Sequence, residues 1–187
     1  MLWRAFCAFV SLVSVVYLGG WLTNRYTPSS IDSGVQTVFA EALRTDLLLL
    51  GLFSLQHSGM ARWSGRPLYL LATAFVLGVL FRYWEPMPDL VWSWDSPLLA
   101  AVRWAGVALI VWSVAALGAR GFFGLKDDSG WKTGGPYRWL RHPMMTGTLA
   151  FLWAHGDMTQ GRLLFNCWMT VYGVLATRYL EARLPMQ

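Results

Sequence analysis

One short segment of the chain concentrates residue types that bind small charged molecules. It runs from Gly134 to Pro143 with the sequence GGPYRWLRHP, directly before an apolar stretch that starts at Met144. The guanidinium of Arg141 has a planar fork suited to a carboxylate, and His142 lies directly before Pro143, where the next helix is predicted to start. Such residues at the mouth of an apolar helix predict a site where an anionic or zwitterionic small molecule meets a membrane edge.

The backbone of this Gly-Pro segment (residues 134–143) supports the same interpretation. Gly135 permits a ligand to approach the main chain closely, and Pro136 stiffens the chain before Tyr137. The helix predicted to follow presents its first N–H groups and its positive dipole end to an anion. Gly135, Pro136 and Tyr137 are therefore candidate binding residues. Arg141 and His142 are candidates for both binding and catalysis.

A plainer interpretation of the same residues stays open. Arg138 and Arg141 can be basic residues that anchor a cytoplasmic loop, and Tyr137 and Trp139 can be aromatic residues of the membrane interface. Neither role requires a ligand, so the residue types alone do not separate anchoring from binding.

A polar stripe runs along the last apolar segment, because residues three or four apart share one face of a helix. The stripe consists of Asn166, Thr170, Gly173, Thr177 and Glu181. Its terminal carboxylate makes Glu181 a candidate binding residue, since ionisable groups at membrane helices mark sites. Small and hydroxylated residues are also common contacts between membrane helices. A packing role therefore stays open for the stripe, as does pairing of Glu181 with Arg178.

The second apolar segment ends in another polar group. Ser54, His57 and Ser58 share one face of the predicted helix. An uncharged histidine can accept or donate a proton, so His57 is a candidate catalytic residue. A hydrogen-bonded histidine inside the helix bundle is the alternative. Glu85 carries no predicted chemistry and is expected to pair with Arg82.

The composition places these residues in a membrane protein. The 187 residues are 56% hydrophobic and 13% charged, whereas soluble domains have roughly 25% charged residues. The net charge of +5 does not indicate nucleic-acid binding, because the basic residues are spread over short loops. No His or Cys spacing is typical of a metal site. The length suits a single integral-membrane domain over residues 1–187.

An all-α, polytopic transmembrane bundle of five to six helices is predicted. Six candidate spans cover about residues 5–23, 38–60, 67–83, 98–119, 143–154 and 162–180. The last two form a C-terminal helical hairpin, since a glycine-bounded turn joins them. The fifth is about 18 Å long at 1.5 Å per residue, short of a hydrocarbon core of ~30 Å. Either it extends back through the Gly-Pro segment, or the hairpin is only partly inserted.

The distribution of basic residues predicts the orientation, because they favour the cytoplasmic side. With both termini inside, ten of the fifteen Lys and Arg residues lie on the inner side. They are Arg4, Arg62, Arg66, Arg120, Lys126, Lys132, Arg138, Arg141, Arg178 and Arg183. The termini and the Gly-Pro segment are therefore expected to face the cytoplasm.

The chain also resembles a known superfamily. The pattern GPYxxxRHPxxxG over residues 135–147 resembles the cofactor-site signature of integral-membrane methyltransferases. That group includes isoprenylcysteine carboxyl methyltransferase and phospholipid methyltransferases. QHS at residues 56–58 and WEP at residues 84–86 resemble a narrower branch, which holds methanethiol S-methyltransferase, NnrU-like proteins and nurim. The resemblance covers roughly residues 45–184.

The resemblance implies an S-adenosylmethionine-dependent methyltransferase. The cofactor would bind at the cytoplasmic membrane edge, and a small thiol similar to methanethiol, or a lipid-like acceptor, would reach it through the bilayer. Tyr137, Arg141 and His142 would line the cofactor pocket. Gly135 would allow close backbone approach, and Glu181 would lie near the cofactor. The implied location is a bacterial inner membrane or a eukaryotic nuclear or endoplasmic-reticulum membrane.

Two departures from the family pattern favour an alternative function. Ala182 follows Glu181, where relatives carry two adjacent acids, and the chain stops at Gln187, where relatives continue with an aromatic-rich tail. The alternative is a nurim-like or NnrU-like membrane protein that keeps the fold without catalytic turnover. A transporter built on the polar stripe is a third function, which the lack of an inverted repeat disfavours.

Overall fold

The protein is α-helical across the part of the chain that the structure describes. The computed structural model describes residues 2–63, 65–123, 125 and 133–182. Its elements in chain order are α1 (Leu2–Leu22), α2 (Phe39–Trp63), α3 (Arg66–Tyr83), β1 (Leu90–Ser93), α4 (Pro97–Leu117), α5 (Ala119–Phe122), a 3₁₀ helix (Gly135–Arg138), α6 (Pro143–Trp153), β2 (Asp157–Thr159) and α7 (Gln160–Ala182). The predicted all-α fold is confirmed, and each of the six spans corresponds to one helix, of which α6 is short. The short pairing of β1 with β2 was not predicted.

Three helices among the described residues are long and apolar enough to cross a membrane. They are α1, α3 and α4, with 18 to 21 residues and mean hydropathies of 1.2 to 2.0. α2 and α7 are longer, at 25 and 23 residues, but less apolar. α6 has 11 residues, so it covers about half of a hydrocarbon core. The chain is an integral membrane protein. Lys126, Lys132 and Arg183 of the charge count lie outside the described residues.

The fifth predicted helix does not extend back through the Gly-Pro segment. α6 begins at Pro143 with His142 as its N-cap, and a separate 3₁₀ helix lies before it. Proline fixes its own φ and restricts the preceding residue, so it favours the first turn of a helix over its interior. Backward extension, one of the two alternatives that the sequence left open, is therefore wrong.

The described chain forms two compact units, each assembled from separate stretches. The first contains α1, α2, α3 and the first turn of α7. The second contains α4, the 3₁₀ helix, α6 and the rest of α7. His57 belongs to the first unit, and the other candidate site residues belong to the second. The expectation of a single domain stays a prediction.

The residues of the WEP motif hold the chain after α3 in the first unit. Trp84 is buried, and its indole N–H donates to the carbonyl oxygen of Ile31 at 3.0 Å. Its ring meets Trp21 edge to face, with the ring centroids 5.3 Å apart. Farther along, the N–H of Gly161 donates to the carbonyl of Met87 at 3.0 Å. This motif therefore has a structural role in the protein.

Glu85 takes different partners from the one that the sequence predicts. Its carboxylate accepts a hydrogen bond from the Thr37 hydroxyl, and its backbone N–H donates to the buried Asp46 carboxylate at 3.1 Å. The guanidinium of Arg82 lies 5.5 Å from the ring centroid of Tyr83. Within the described residues Arg82 and Glu85 do not pair, so that prediction is wrong.

A buried ion pair fixes the start of α7 in the first unit. The side chains of Arg162 and Asp32 are 4% and 15% exposed. Arg162 also donates to the carbonyl of Leu22 at 2.7 Å, while Thr159 and Asn24 donate to Asp32 at 2.5 and 2.7 Å. Burial raises the pKa of Asp32, but Arg162 and these hydrogen bonds outweigh it and lower the pKa. Arg162, one of the five Lys and Arg residues not assigned to the inner side, thus has a structural role.

Replacing Asp32 removes one half of this ion pair. We expect Asp32→Asn to lower the free energy of unfolding by about 3–5 kcal/mol, because the buried charge of Arg162 loses its partner. Denaturant unfolding of the detergent-solubilised protein measures the change. Asp95→Asn is the matched control at an exposed carboxylate, and we expect it to change the free energy by less than about 0.5 kcal/mol.

The ion pair also predicts how the stability depends on pH. An unfolded aspartate has a pKa of about 3.9, and the folded pKa of Asp32 lies lower. Its contribution is therefore present above about pH 4 and is lost as the pH falls through the folded pKa. The difference in unfolding free energy between the wild type and Asp32→Asn should narrow in acid. A difference that stays constant from about pH 7 to about pH 3 would contradict the assignment.

Candidate functional site

The second unit is built on two antiparallel helices in close contact. A Cβ atom on Gly106 of α4 would lie 2.7 Å from the carbonyl oxygen of Gly147, and one on Gly147 of α6 would lie 2.7 Å from that of Gly106. Gly106 also meets Phe151, whereas Gly147 meets Ile110, one turn farther along α4. Small residues permit such close backbone approach. The carboxyl end of α4 therefore lies beside the amino end of α6, and Gly147 of the signature is a packing residue.

The 3₁₀ helix rests on the last turns of α4. Gly135 has φ of +59°, in the left-handed region. A Cβ atom there would lie 3.0 Å from Cβ of Ala116 and 3.2 Å from Nε1 of Trp112. Glycine is required here because other residues avoid this backbone conformation. A Cβ atom would also crowd Ala116 and Trp112. Pro136 is fully buried. Gly135 and Pro136 thus position the residues that follow them.

The polar stripe of α7 faces α6. The side-chain amide of Asn166 donates to the α6 backbone at 2.8 Å, and the indole of Trp153 donates to the Thr170 hydroxyl at 2.9 Å. Gly173 lies against Met145, which would collide with a larger residue there. The predicted hairpin is confirmed. These residues of the stripe are packing contacts, as one of the two interpretations held.

The stripe ends at a charged cluster formed by Arg141, His142 and Glu181. Oε1 of Glu181 lies 3.0 Å from Nε2 of His142 and 3.7 Å from Nη1 of Arg141. An ionised carboxylate only accepts hydrogen bonds, so His142 Nε2 is the donor. Within the described residues Glu181 forms no ion pair with Arg178, so the alternative that these two residues pair does not hold. The structure therefore joins residues that are 39 positions apart in the sequence.

The charged cluster keeps Glu181 ionised. The hydrogen bond from His142 holds the pKa of Glu181 below its usual value; burial opposes this shift, and the charges of His142 and Arg141 add to it. Side-chain exposures of 86% for Arg141 and 39% for Glu181 leave both charged groups within reach of a ligand. Partial burial raises the pKa of Tyr137, so its phenol is neutral at physiological pH. An anion and a cation thus stand side by side.

The amino end of α6 adds a second positive element. His142 is the N-cap residue, but its side chain makes no capping hydrogen bond and contacts Glu181 instead. The first N–H groups of a helix have no partner inside the helix, and the dipole is positive there. Arg141 and this helix end suit a carboxylate, whereas Glu181 suits an ammonium group. The arrangement can therefore bind a zwitterion.

Comparison with known proteins decides the family. The sequence model of the phospholipid methyltransferase family matches residues 98–184. A methanethiol S-methyltransferase from a Pseudomonas species is 32% identical over 98% of this chain and 81% of its own length. One from Mycobacterium tuberculosis is 30% identical over 92% of this chain and 82% of its own length. The chain belongs to the integral-membrane methyltransferases.

The match places the protein in the methyltransferase branch that the sequence resembles. Nurim from Xenopus laevis is 29% identical over 82% of this chain and 70% of nurim. No solved structure matches the chain. The residues matched by the family model run from the second residue of α4 past the end of α7 and include the charged cluster. Membership of a methyltransferase family implies a methyl donor.

His57 lies in the first unit of this methyltransferase, apart in sequence from the charged cluster. Its Nε2 atom is 2.7 Å from the hydroxyl of Tyr69 on α3. Its ring stacks on Phe53, with the ring centroids 5.1 Å apart. These contacts agree with a hydrogen-bonded histidine inside the helices. The catalytic role of His57 stays a prediction.

Two residues that position the site were missed from the sequence. Gly106 sets the spacing of α4 and α6, and Trp112 supports the 3₁₀ helix. A glycine inside an apolar span is a signal for close helix packing, but it does not say which helix is the partner. Nothing in the sequence distinguished Trp112 from the other tryptophans, of which the chain has twelve in all. The side chain of Ala182, which departs from the family pattern, lies outside the described residues.

Gly135 and Gly134 offer a matched test of this geometry. We expect Gly135→Ala to lower the free energy of unfolding by about 1–3 kcal/mol, since the new Cβ crowds Ala116 and Trp112 and the left-handed backbone is disfavoured. Gly134 has φ of −90° and open space around its Cβ position. Gly134→Ala should therefore change it by less than about 0.5 kcal/mol. Equal effects in thermal or denaturant unfolding would show that the 3₁₀ helix does not rest on α4.

Proposed function

We propose that this protein is an S-adenosylmethionine-dependent methyltransferase that acts on a small thiol similar to methanethiol. The observation that carries the proposal is the charged cluster of Arg141, His142 and Glu181, which lies within the residues that match the family. A lipid-like acceptor is the second candidate, supported by the match to the phospholipid methyltransferase family.

The cluster fits the amino-acid end of S-adenosylmethionine, which carries a carboxylate and an ammonium group. Arg141 and the first N–H groups of α6 would hold the carboxylate. Glu181, ionised through its bond to His142, would hold the ammonium group. Gly135, Pro136 and Tyr137 would line the same pocket, as the family resemblance implies. A site for a neutral molecule would not require this pair of opposite charges.

The reaction needs alignment and a deprotonated acceptor. When bound, the cofactor supplies an electrophilic methyl group on a sulfonium sulfur. Attack of a thiolate on that methyl carbon would release a neutral thioether, so the residues of the chain need to align the acceptor and favour its charged form. The thiolate is the reactive form of a thiol, and positive charge from Arg141 favours it. We also propose a catalytic, acid–base role for His57.

Three lines of support favour turnover of a thiol over a protein that only keeps the fold. The methanethiol S-methyltransferases from Pseudomonas and Mycobacterium tuberculosis are 32% and 30% identical over more than nine tenths of this chain. Nurim from Xenopus laevis is 29% identical over 82% of it. Arg141, His142 and Glu181, which form the charged cluster, are also all present in this chain.

The proposal includes an orientation and a domain organisation. With ten of the fifteen Lys and Arg residues assigned to the inner side, we infer that the termini and the Gly-Pro segment face the cytoplasm. Residues 1–187 would act as one integral-membrane domain. S-adenosylmethionine would then reach the cluster from the aqueous side, and an apolar thiol would reach it through the bilayer.

Calorimetric titration of S-adenosylmethionine tests the site directly. We expect saturable binding by the wild type and roughly 10- to 100-fold weaker binding by Glu181→Gln, because one charged hydrogen-bonding partner is lost. Glu41→Gln removes an exposed carboxylate in the first turn of α2 and is the matched control. The site assignment would be contradicted if folded wild type did not bind S-adenosylmethionine. It would also be contradicted if Glu181→Gln and Arg141→Gln both bound it as tightly as the wild type does.

Transfer of a labelled methyl group identifies the acceptor. With methanethiol, we expect label in a volatile thioether, whereas phosphatidylethanolamine should stay unlabelled. His57→Gln should keep the affinity for the cofactor and lower kcat at neutral pH, with less effect at high pH, where the thiol ionises unaided. Cofactor binding without transfer to either acceptor would instead support the protein that keeps the fold without turnover.

A further inference from the structure

Two tryptophans form an accessible aromatic pair beside the Gly-Pro segment. Trp112 lies near the end of α4, and Trp139 directly follows the 3₁₀ helix. Their ring centroids are 5.7 Å apart and their planes are inclined at 62°. The two side chains are 45% and 72% exposed. Among the described residues, no arginine lies over either ring. The pair therefore presents aromatic surface that no cation among the described residues covers.

The surroundings of this tryptophan pair favour a cation. Trp112 is five residues from the carboxyl end of α4, where the unpaired carbonyl groups give the helix its negative dipole end. Basic residues commonly occupy the last turn of a helix and offset this charge. The last turn of α4 has none. Aromatic rings attract cations through the negative charge on their faces, so both features act in the same direction.

The tryptophan pair adjoins residues proposed to bind the cofactor. Nε1 of Trp112 is 3.2 Å from the Cβ position of Gly135, and Trp139 lies two residues before Arg141. The charged cluster accounts for the carboxylate and the ammonium group of a zwitterion. The sulfonium of S-adenosylmethionine is a third charged group, and neither Arg141 nor the amino end of α6 can attract it.

We propose that Trp112 and Trp139 bind the sulfonium of S-adenosylmethionine, and so act as specificity residues for the charged cofactor. This inference rests on the proposed function. Aromatic rings bind alkylated onium cations, both sulfonium and quaternary ammonium, because these ions are large and weakly hydrated. The demethylated product carries a neutral thioether at the same atom and loses this attraction. The pair therefore favours the methyl donor over the product, which aids product release.

The experiment compares the charged cofactor with its neutral product. The dissociation constants of S-adenosylmethionine and S-adenosylhomocysteine are measured by calorimetry for the wild type, Trp112→Leu, Trp112→Phe and Trp139→Leu. The proteins are held in phosphatidylglycerol nanodiscs, which contain no choline. We expect Trp112→Leu to weaken binding of S-adenosylmethionine by about 3- to 30-fold and that of S-adenosylhomocysteine by less than about 2-fold. Trp112→Phe, which keeps an aromatic face, should retain more of the preference.

The other outcomes separate the possible errors. Equal weakening for both ligands would mean that Trp112 acts only by supporting the 3₁₀ helix, and it would overturn the inference while leaving the proposed function intact. Unchanged affinities in both leucine variants would make the tryptophans interface anchors, which also overturns it. Folded wild type that binds neither ligand would refute the proposed function itself.

A choline headgroup carries a quaternary ammonium, which is also an onium cation. A separate titration therefore tests whether the tryptophan pair binds it. Phosphocholine is titrated into the wild type and into Trp112→Leu in the same nanodiscs. A loss of phosphocholine binding in the variant, with an unchanged preference between the two cofactor forms, would assign the tryptophan pair to lipid headgroups and overturn its assignment to the cofactor. Weak phosphocholine binding together with a lost cofactor preference would support the sulfonium.

Discussion

Gly106 and Gly147 bring the backbones of α4 and α6 into contact, and the rest of the second unit is arranged around that contact. Without Cβ atoms the two helices approach to a distance at which any larger residue would meet a carbonyl oxygen. Because they run antiparallel, the negative end of α4 and the positive end of α6 lie together. The Gly-Pro segment connects to α6 at this point, and Gly135 allows its 3₁₀ helix to rest on α4. Close packing therefore sets the electrostatics of the site.

Packing of α7 against α6 likewise determines where the carboxylate of Glu181 lies. Contacts made by Asn166, Thr170 and Gly173 hold α7 against α6 over about two turns. Farther along the same face, Glu181 then meets His142. A shift of one residue along α7 would rotate this face by about 100°, so the packing contacts determine the position of the charged group. The polar stripe of α7 therefore serves packing, and this packing places the carboxylate of Glu181.

The proposed site combines charges that would act on different parts of one ligand. Arg141 and the amino end of α6 attract an anion, Glu181 attracts an ammonium group, and the aromatic pair at the end of α4 attracts a bulkier cation. All belong to a single unit, so their relative positions follow from the helix contacts described above. Elsewhere the buried Asp32–Arg162 pair and the contacts of Trp84 hold the first unit. Some residues of the family signatures thus serve packing, and others are the ones proposed to bind the ligand.

The sequence by itself determined the helices, their membrane character and the family. Apolar runs and the prolines at positions 67 and 143 predicted the spans because these signals act over one or two turns of helix. Tertiary structure alone decided which residues meet. Glu181 pairs with His142 rather than with Arg178, and Glu85 bonds to Thr37 rather than to Arg82. In both cases the observed partner is distant in the sequence, because long-range packing sets the direction of each helix face. Local spacing carries no information about the facing helix.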